Sequence, residues 1–306
     1  MGKASILSLT VGDLVVEPNS FIVLSPPYTT LPIVWQIAAI NHPGYPPNTV
    51  TLIAYRALRW MMFDGYEYSN PDVYRAGGNN NYALSNIRQW LTSDHTDTGT
   101  SQLWWMPTHD YDAAPNFPAS TATERPYASD HRLWHYFSRS FNGLIAPTQI
   151  ETALHNNDGG GIIQTTDRVF LPSRAEVGVA SLTYNSVPVE GTAYTLFTDN
   201  ASRVCQPTPE AKLHSMGFQS AANADWRLRS VAAFTGSSAT VTYITTIGSL
   251  DAFGKNATNG TAAIRPVLNI KNIAEIDDIP DINGVYTILP YKRPYIPTYM
   301  RPLIKA

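Results

Sequence analysis

The chain has 306 residues, 43% of them hydrophobic and 15% charged, enough apolar material for one large globular domain that needs neither disulfides nor metals to hold it. Its net charge of -3 argues against non-specific nucleic-acid binding, and a single cysteine, Cys205, excludes an intrachain disulfide. No run approaches the roughly 20 apolar residues of a membrane span, and residues 1–9 suit neither a secretory leader nor a lipidation signal, so no membrane insertion is expected.

Residues 14–16 and 21–24 are β-branched or aliphatic and flank Glu17-Pro18-Asn19-Ser20, which predicts a hairpin. Residues 33–40 and 50–55 predict a second strand pair across a loop holding Pro43, Gly44, Pro46 and Pro47. A short helix is expected over 85–91, with Ser85 as cap and Ile87, Trp90 and Leu91 on one face, so Trp90 reads as core. Residues 93–130 are polar and loop-like. Within them Trp104 and Trp105 are adjacent and cannot both face one core from a strand, so one is a candidate ligand or interface residue.

Short helices are predicted over 133–141 and 148–154, a strand over 168–171, and late strands over 230–234 and 239–247. His131 and His135 stand at i and i+4, a spacing that can hold zinc, but the glutamate of a His-Glu-x-x-His site is missing and no third ligand is evident. Asn156-Asn157-Asp158-Gly159-Gly160-Gly161 offers oxygen ligands for calcium, with a plain turn as the competing reading. The scattered carboxylates Glu124, Glu151 and Glu176 have no spacing that marks a glycosidase pair. No catalytic residue, metal or cofactor is assigned.

Arg229 and Arg265 sit inside apolar strand-like runs. A guanidinium cannot shed its charge by losing a proton, so both are expected to be buried in polar clasps. Residues 279–306 differ in character. They hold five prolines, the tyrosines Tyr286, Tyr291, Tyr295 and Tyr299, and four basic residues against one Asp281. This composition predicts an extended arm that docks on another subunit, with a disordered tail as the alternative. The expected division is a domain over 1–278 and an arm over 279–306.

Several stretches carry a family resemblance: Asn41-His42-Pro43-Gly44-Tyr45-Pro46, Gly78-Asn79-Asn80-Asn81-Tyr82, Ser85-Asn86-Ile87-Arg88-Gln89-Trp90-Leu91, Asp167-Arg168-Val169-Phe170-Leu171-Pro172-Ser173, Glu176-Val177-Gly178, Trp226-Arg227-Leu228-Arg229-Ser230 and Arg265-Pro266-Val267-Leu268-Asn269. In this order they resemble the DUF6273 family, common in prophage regions. The closing motifs are similar to the C-type-lectin-like fold of formylglycine-generating enzymes and phage receptor-binding proteins. One departure is Ala224-Asp225, where the family usually carries further aromatics.

The resemblance implies an α+β, C-type-lectin-like domain of small twisted antiparallel sheets, short helices and long loops, followed by the arm. It implies a non-enzymatic structural component of a bacteriophage virion or phage-like tail, assembled in the host bacterial cytoplasm as a homo-oligomer with other virion or tail subunits. A face built from Trp104, Trp105, Trp226, Arg227, Lys255 and Asn256 would bind a host-surface glycan or protein. The alternative is a glycan-processing or other enzyme on the same scaffold. Formylglycine generation needs a cysteine pair that this chain lacks.

Overall fold

The computed structural model describes residues 2–23, 30–72, 75, 77–92, 105–112, 133–179, 187–213, 215, 217–232 and 239–291. The fold is α+β, mostly strand with a few short helices. In chain order it begins with β1 (Lys3–Ser5), β2 (Leu14–Val23), β3 (Thr30–Ile40), β4 (Thr49–Ala54) and β5 (Arg59–Trp60). The helices α1 (Asn86–Thr92) and α2 (Arg139–Leu144) follow, then β6 (Ile145–Ala146), β7 (Thr148–Ala153), β8 (Ile162–Asp167) and β9 (Val169–Phe170). The short helices α3 (Asn200–Arg203) and α4 (Pro209–Leu213) precede β10 (Trp226–Val231), β11 (Thr240–Ile244), β12 (Leu250–Asn256), β13 (Ala263–Ile264), β14 (Val267–Lys271), β15 (Glu275–Asp277) and β16 (Val285–Thr287).

Two sheets carry the core. One runs β16-β2-β3-β4-β14-β6, with β9 also paired to β14; the other runs β12-β11-β10-β13-β5. Strands from both ends of the chain thus share one sheet. β4, β10 and β11 are buried at every position, β10 even though it carries Arg227, Arg229 and Ser230. Trp35 meets Phe137 edge-on at 6.1 Å, and Phe137 meets Phe141 at 5.4 Å, so the turn before α2 packs onto β3. In α1, Ile87, Trp90 and Leu91 are buried, while Arg88 turns to Asp167 with Nε–H bonds of 2.9 and 3.0 Å and an Nη2 bond of 2.7 Å.

Three expectations need correction. Residues 14–23 form one strand, not a hairpin, with a register shift between Val16 and Phe21. Glu17 is buried there and accepts from Ser20 Oγ and Asn19 Nδ2, so the polar cluster closes on itself as a bulge that also accommodates Pro18. Residues 148–153 are strand β7 rather than helix. Thr148, Ile150 and Thr152 alternate with Gln149 and Glu151, and the buried positions follow that period of two.

The third concerns the boundary at 279. The chain turns back through Asp281 and lays β16 parallel to β2, pairing Val285 with Leu14 and Thr287 with Val16. Ile288 is fully buried, and Tyr291 packs against Gly143 and hydrogen-bonds Ser140 through its backbone N–H. Tyr286 and Tyr291 therefore dock on their own domain. Tyr295 and Tyr299 lie outside the described residues.

Candidate functional site

The loop between β3 and β4 turns through two asparagines in the left-handed region, Asn41 (φ 50°) and Asn48 (φ 57°), a conformation that asparagine tolerates better than most residues. Between them a turn brings His42 and Tyr45 together, ring centroids 4.3 Å apart. His42 Nε2 lies 2.9 Å from the Thr192 carbonyl, and burial lowers its pKa. His42 is therefore uncharged at neutral pH.

Below this turn stands a buried ion pair. Arg229, on β10, is 0% exposed and donates through Nη1 and Nη2 to Glu176 Oε2 and Oε1, both at 2.6 Å. Such fork-on-fork contact is the geometry guanidinium and carboxylate share. The same guanidinium donates to the carbonyls of Leu171 (2.8 Å) and Glu151 (2.9 Å), tying together three distant segments. Glu176 accepts further bonds from Tyr45 Oη (2.6 Å), Tyr194 Oη (2.9 Å) and the Ser173 N–H (2.9 Å). Burial opposes its charge, yet Arg229 and these donors hold its carboxyl below the ordinary carboxylate range. Beside it, Glu190 is also buried, accepting from the Ala153 N–H and Ser230 Oγ, and burial pushes its pKa up.

A cleft of about 330 Å³ opens over this pair. One wall is the turn at His42, Pro43, Gly44 and Tyr45. The other is the β7–β8 hairpin, which contributes Gln149, Glu151 and Gln164. Gly191, with φ +79°, lies between the walls; its N–H donates to Glu151 Oε2 (3.2 Å), and a Cβ there would come within 2.7 Å of Glu176 Oε1. Only glycine fits that position. The carboxylates of Glu151 and Glu176, which spacing in the sequence did not connect, thus line one cleft.

A family model described as a domain of unknown function, DUF6273, matches residues 49–272. The chain belongs to the DUF6273 family. Comparison with curated proteins and with solved structures found no match. The match takes in Glu151, Glu176, Gly191 and Arg229 but begins after the His42–Tyr45 turn and ends before β15 and β16.

In this DUF6273 chain the residues expected to bind a ligand fall elsewhere. Trp226 and Arg227 are 0% exposed within β10 and present no surface to a ligand. Trp226 Nε1 donates to the Arg203 carbonyl, and Arg227 Nη2 to the carbonyls of Asn256 and Asn259. Lys255 donates to Asp225 (2.7 Å) and lies over the Tyr243 ring, while the Asn256 side is exposed. Trp105 is half-buried against the core, and Trp104 lies outside the described residues. Trp90 is fully buried. Arg265 is buried, but no carboxylate among the described residues meets it. Its Nε donates to the Ala54 carbonyl (2.8 Å), and its guanidinium lies 5.2 Å from the Trp226 ring and 5.5 Å from that of Phe197.

Among the described residues no group of three His, Cys, Asp or Glu could hold a metal. Asp158 pairs with Arg75 instead. His131 and the side chain of His135 lie outside the described residues. Cys205 is buried, and burial raises its pKa.

A second charged cluster pins the segment 105–112. His109 Nε2 lies 2.7 Å from Glu67 Oε1, with Asp112 Oδ2 at 3.9 Å from Nδ1 and Asp64 nearby. The bond to Glu67 raises the His109 pKa. This contribution to stability is complete below the unfolded-state value near 6.5 and is lost as pH rises through the higher folded value. Melting temperature should therefore fall as pH rises above about 6.5 in the native chain and fall less in His109→Gln.

Proposed function

We propose that the protein is a non-enzymatic structural component of a bacteriophage virion or phage-like tail, on a C-type-lectin-like scaffold that displays a host-binding face. The observation that carries the non-enzymatic part is the state of Glu176. Both of its oxygens are taken by Arg229, two tyrosines and a backbone N–H, and its carboxyl is held ionised. A carboxylate so engaged holds the walls of the cleft in place and leaves the loops above it free to vary. The phage assignment rests on the family resemblance, and the expected homo-oligomer and other-subunit partners go with it.

The competing reading is a glycan-processing enzyme, favoured by one observation: Glu151 and Glu176 line the same cleft. Glycosidases need one carboxyl held protonated near neutrality. Glu176 is driven the opposite way, and as the ionised partner of such a pair its oxygens are already taken by Arg229, Tyr45, Tyr194 and the Ser173 N–H.

Density-gradient sedimentation of a lysate from induced producer cells, followed with an antibody to this chain, tests the proposal. The protein should travel with assembled particles. Recovery solely at the position of free protein would overturn it.

A further inference from the structure

We infer that the cleft between the His42–Tyr45 turn and the β7–β8 hairpin binds a neutral pyranose, with Glu151, Gln149 and Gln164 as its hydrogen-bonding wall. This rests on the host-binding reading and names the ligand class for it. Gln149 and Glu151 alternate along β7 on one face, and Glu151 stands opposite Gln164 in the hairpin register. Gln149 Nε2 donates to Gln164 Oε1 at 2.8 Å, which leaves Gln149 Oε1 as an acceptor and Gln164 Nε2 as a donor. Glu151 uses Oε2 on the Gly191 N–H, and Oε1 makes no hydrogen bond among the described residues. Acceptor, acceptor and donor in a row match adjacent ring hydroxyls, each of which both donates and accepts.

The charge narrows the class. Glu176 is neutralised by Arg229, and His42 is uncharged at neutral pH. No cation pairs with Glu151 among the described residues, so the cleft carries one net negative charge and disfavours phosphates and sugar acids. The facing wall, Pro43 and the ring of Tyr45, offers apolar surface to the C–H face of a sugar. A volume of about 330 Å³ is at the small end for ligand sites, the size of one terminal sugar rather than a chain.

Saturation-transfer NMR and calorimetric titration of the full chain with glucose, galactose, mannose, N-acetylglucosamine and glucuronate test this. At least one neutral sugar should bind with a Kd of about 1–10 mM, with glucuronate about tenfold weaker. Glu151→Gln should weaken binding about tenfold and Gln164→Ala several-fold, with melting temperatures unchanged. Gln164 is on a strand at the surface, so its variant stays informative if Glu151→Gln folds poorly. No binding of any neutral sugar at about 50 mM, equal binding of glucuronate, or wild-type binding by both variants would overturn the inference. A protein that sediments with particles yet ignores these sugars loses only the sugar site. One that binds a sugar and also cleaves its glycosides keeps the site and loses the non-enzymatic reading.

Discussion

Arg229→Met should destabilise the fold by about 3–5 kcal/mol, read as a lowered urea midpoint at pH 7. The loss comes less from the missing attraction than from what remains. Glu176 would stand fully buried with its charge uncompensated, and the carbonyls of Leu171 and Glu151 would lose their donor. Adding Glu176→Leu should restore only part of the stability. Removing both charges of a buried pair is often nearly neutral, but here Tyr45, Tyr194 and the Ser173 N–H would lose their acceptor. The pair also sets an acid limit. Because the folded carboxyl of Glu176 is lowered, its contribution is present above the unfolded-state value and is lost as pH falls through the folded one. An Arg229→Met variant as stable as the native chain would mean that the clasp holds nothing.

Arg265 should behave differently, although both arginines are buried in strand-rich surroundings. Arg265→Ala should cost about 2–5 kcal/mol, the range for emptying a long side chain from a packed core. The vacated space lies against the rings of Trp226 and Phe197, which meet each other at 6.2 Å. Arg265→Met should cost much less, within about 1 kcal/mol of the native chain, because it fills that space and orphans no buried carboxylate. Its penalty is the lost bonds to the Ala54 carbonyl and, more weakly, to Gln36 Oε1, offset by relief of a buried charge that burial already disfavours. Equal losses for the alanine and methionine variants in thermal unfolding would show that charge, not volume, dominates at this position.

The sequence makes the strand pair around the Pro-rich loop readable because Ile37, Val50, Leu52 and Ile53 are aliphatic and the loop breakers between them are unmistakable. α1 is readable for the same reason: Ile87, Trp90 and Leu91 fall on one helical face. The misreading at 148–154 is one of period. Thr148, Ile150 and Thr152 alternate, and that signal competes with a helix reading of the same residues. Burial of Arg229 follows from its apolar neighbours, but its partner does not, since Glu176 lies 53 positions away and is one carboxylate among many. The cleft is less legible still. His42, Glu151 and Gly191 meet only because separate loops and a hairpin converge, and spacing along the chain carries no trace of that. Trp226 and Arg227 mislead in the other direction, since an aromatic beside a cation reads equally as a ligand platform or as a packed strand.

β16 shields the outer backbone of β2 along Leu14–Val16. Without it, a row of amide and carbonyl groups would face outward beside the half-buried Leu14 and Val16, a ready template for a foreign strand. Shortening the chain from 285 would thus create an adhesive border as well as remove the Pro/Tyr-rich segment, and any clumping that followed would report on the border. A cut placed after Tyr291 keeps that border sealed, so the oligomeric state of such a truncation speaks for the distal residues alone.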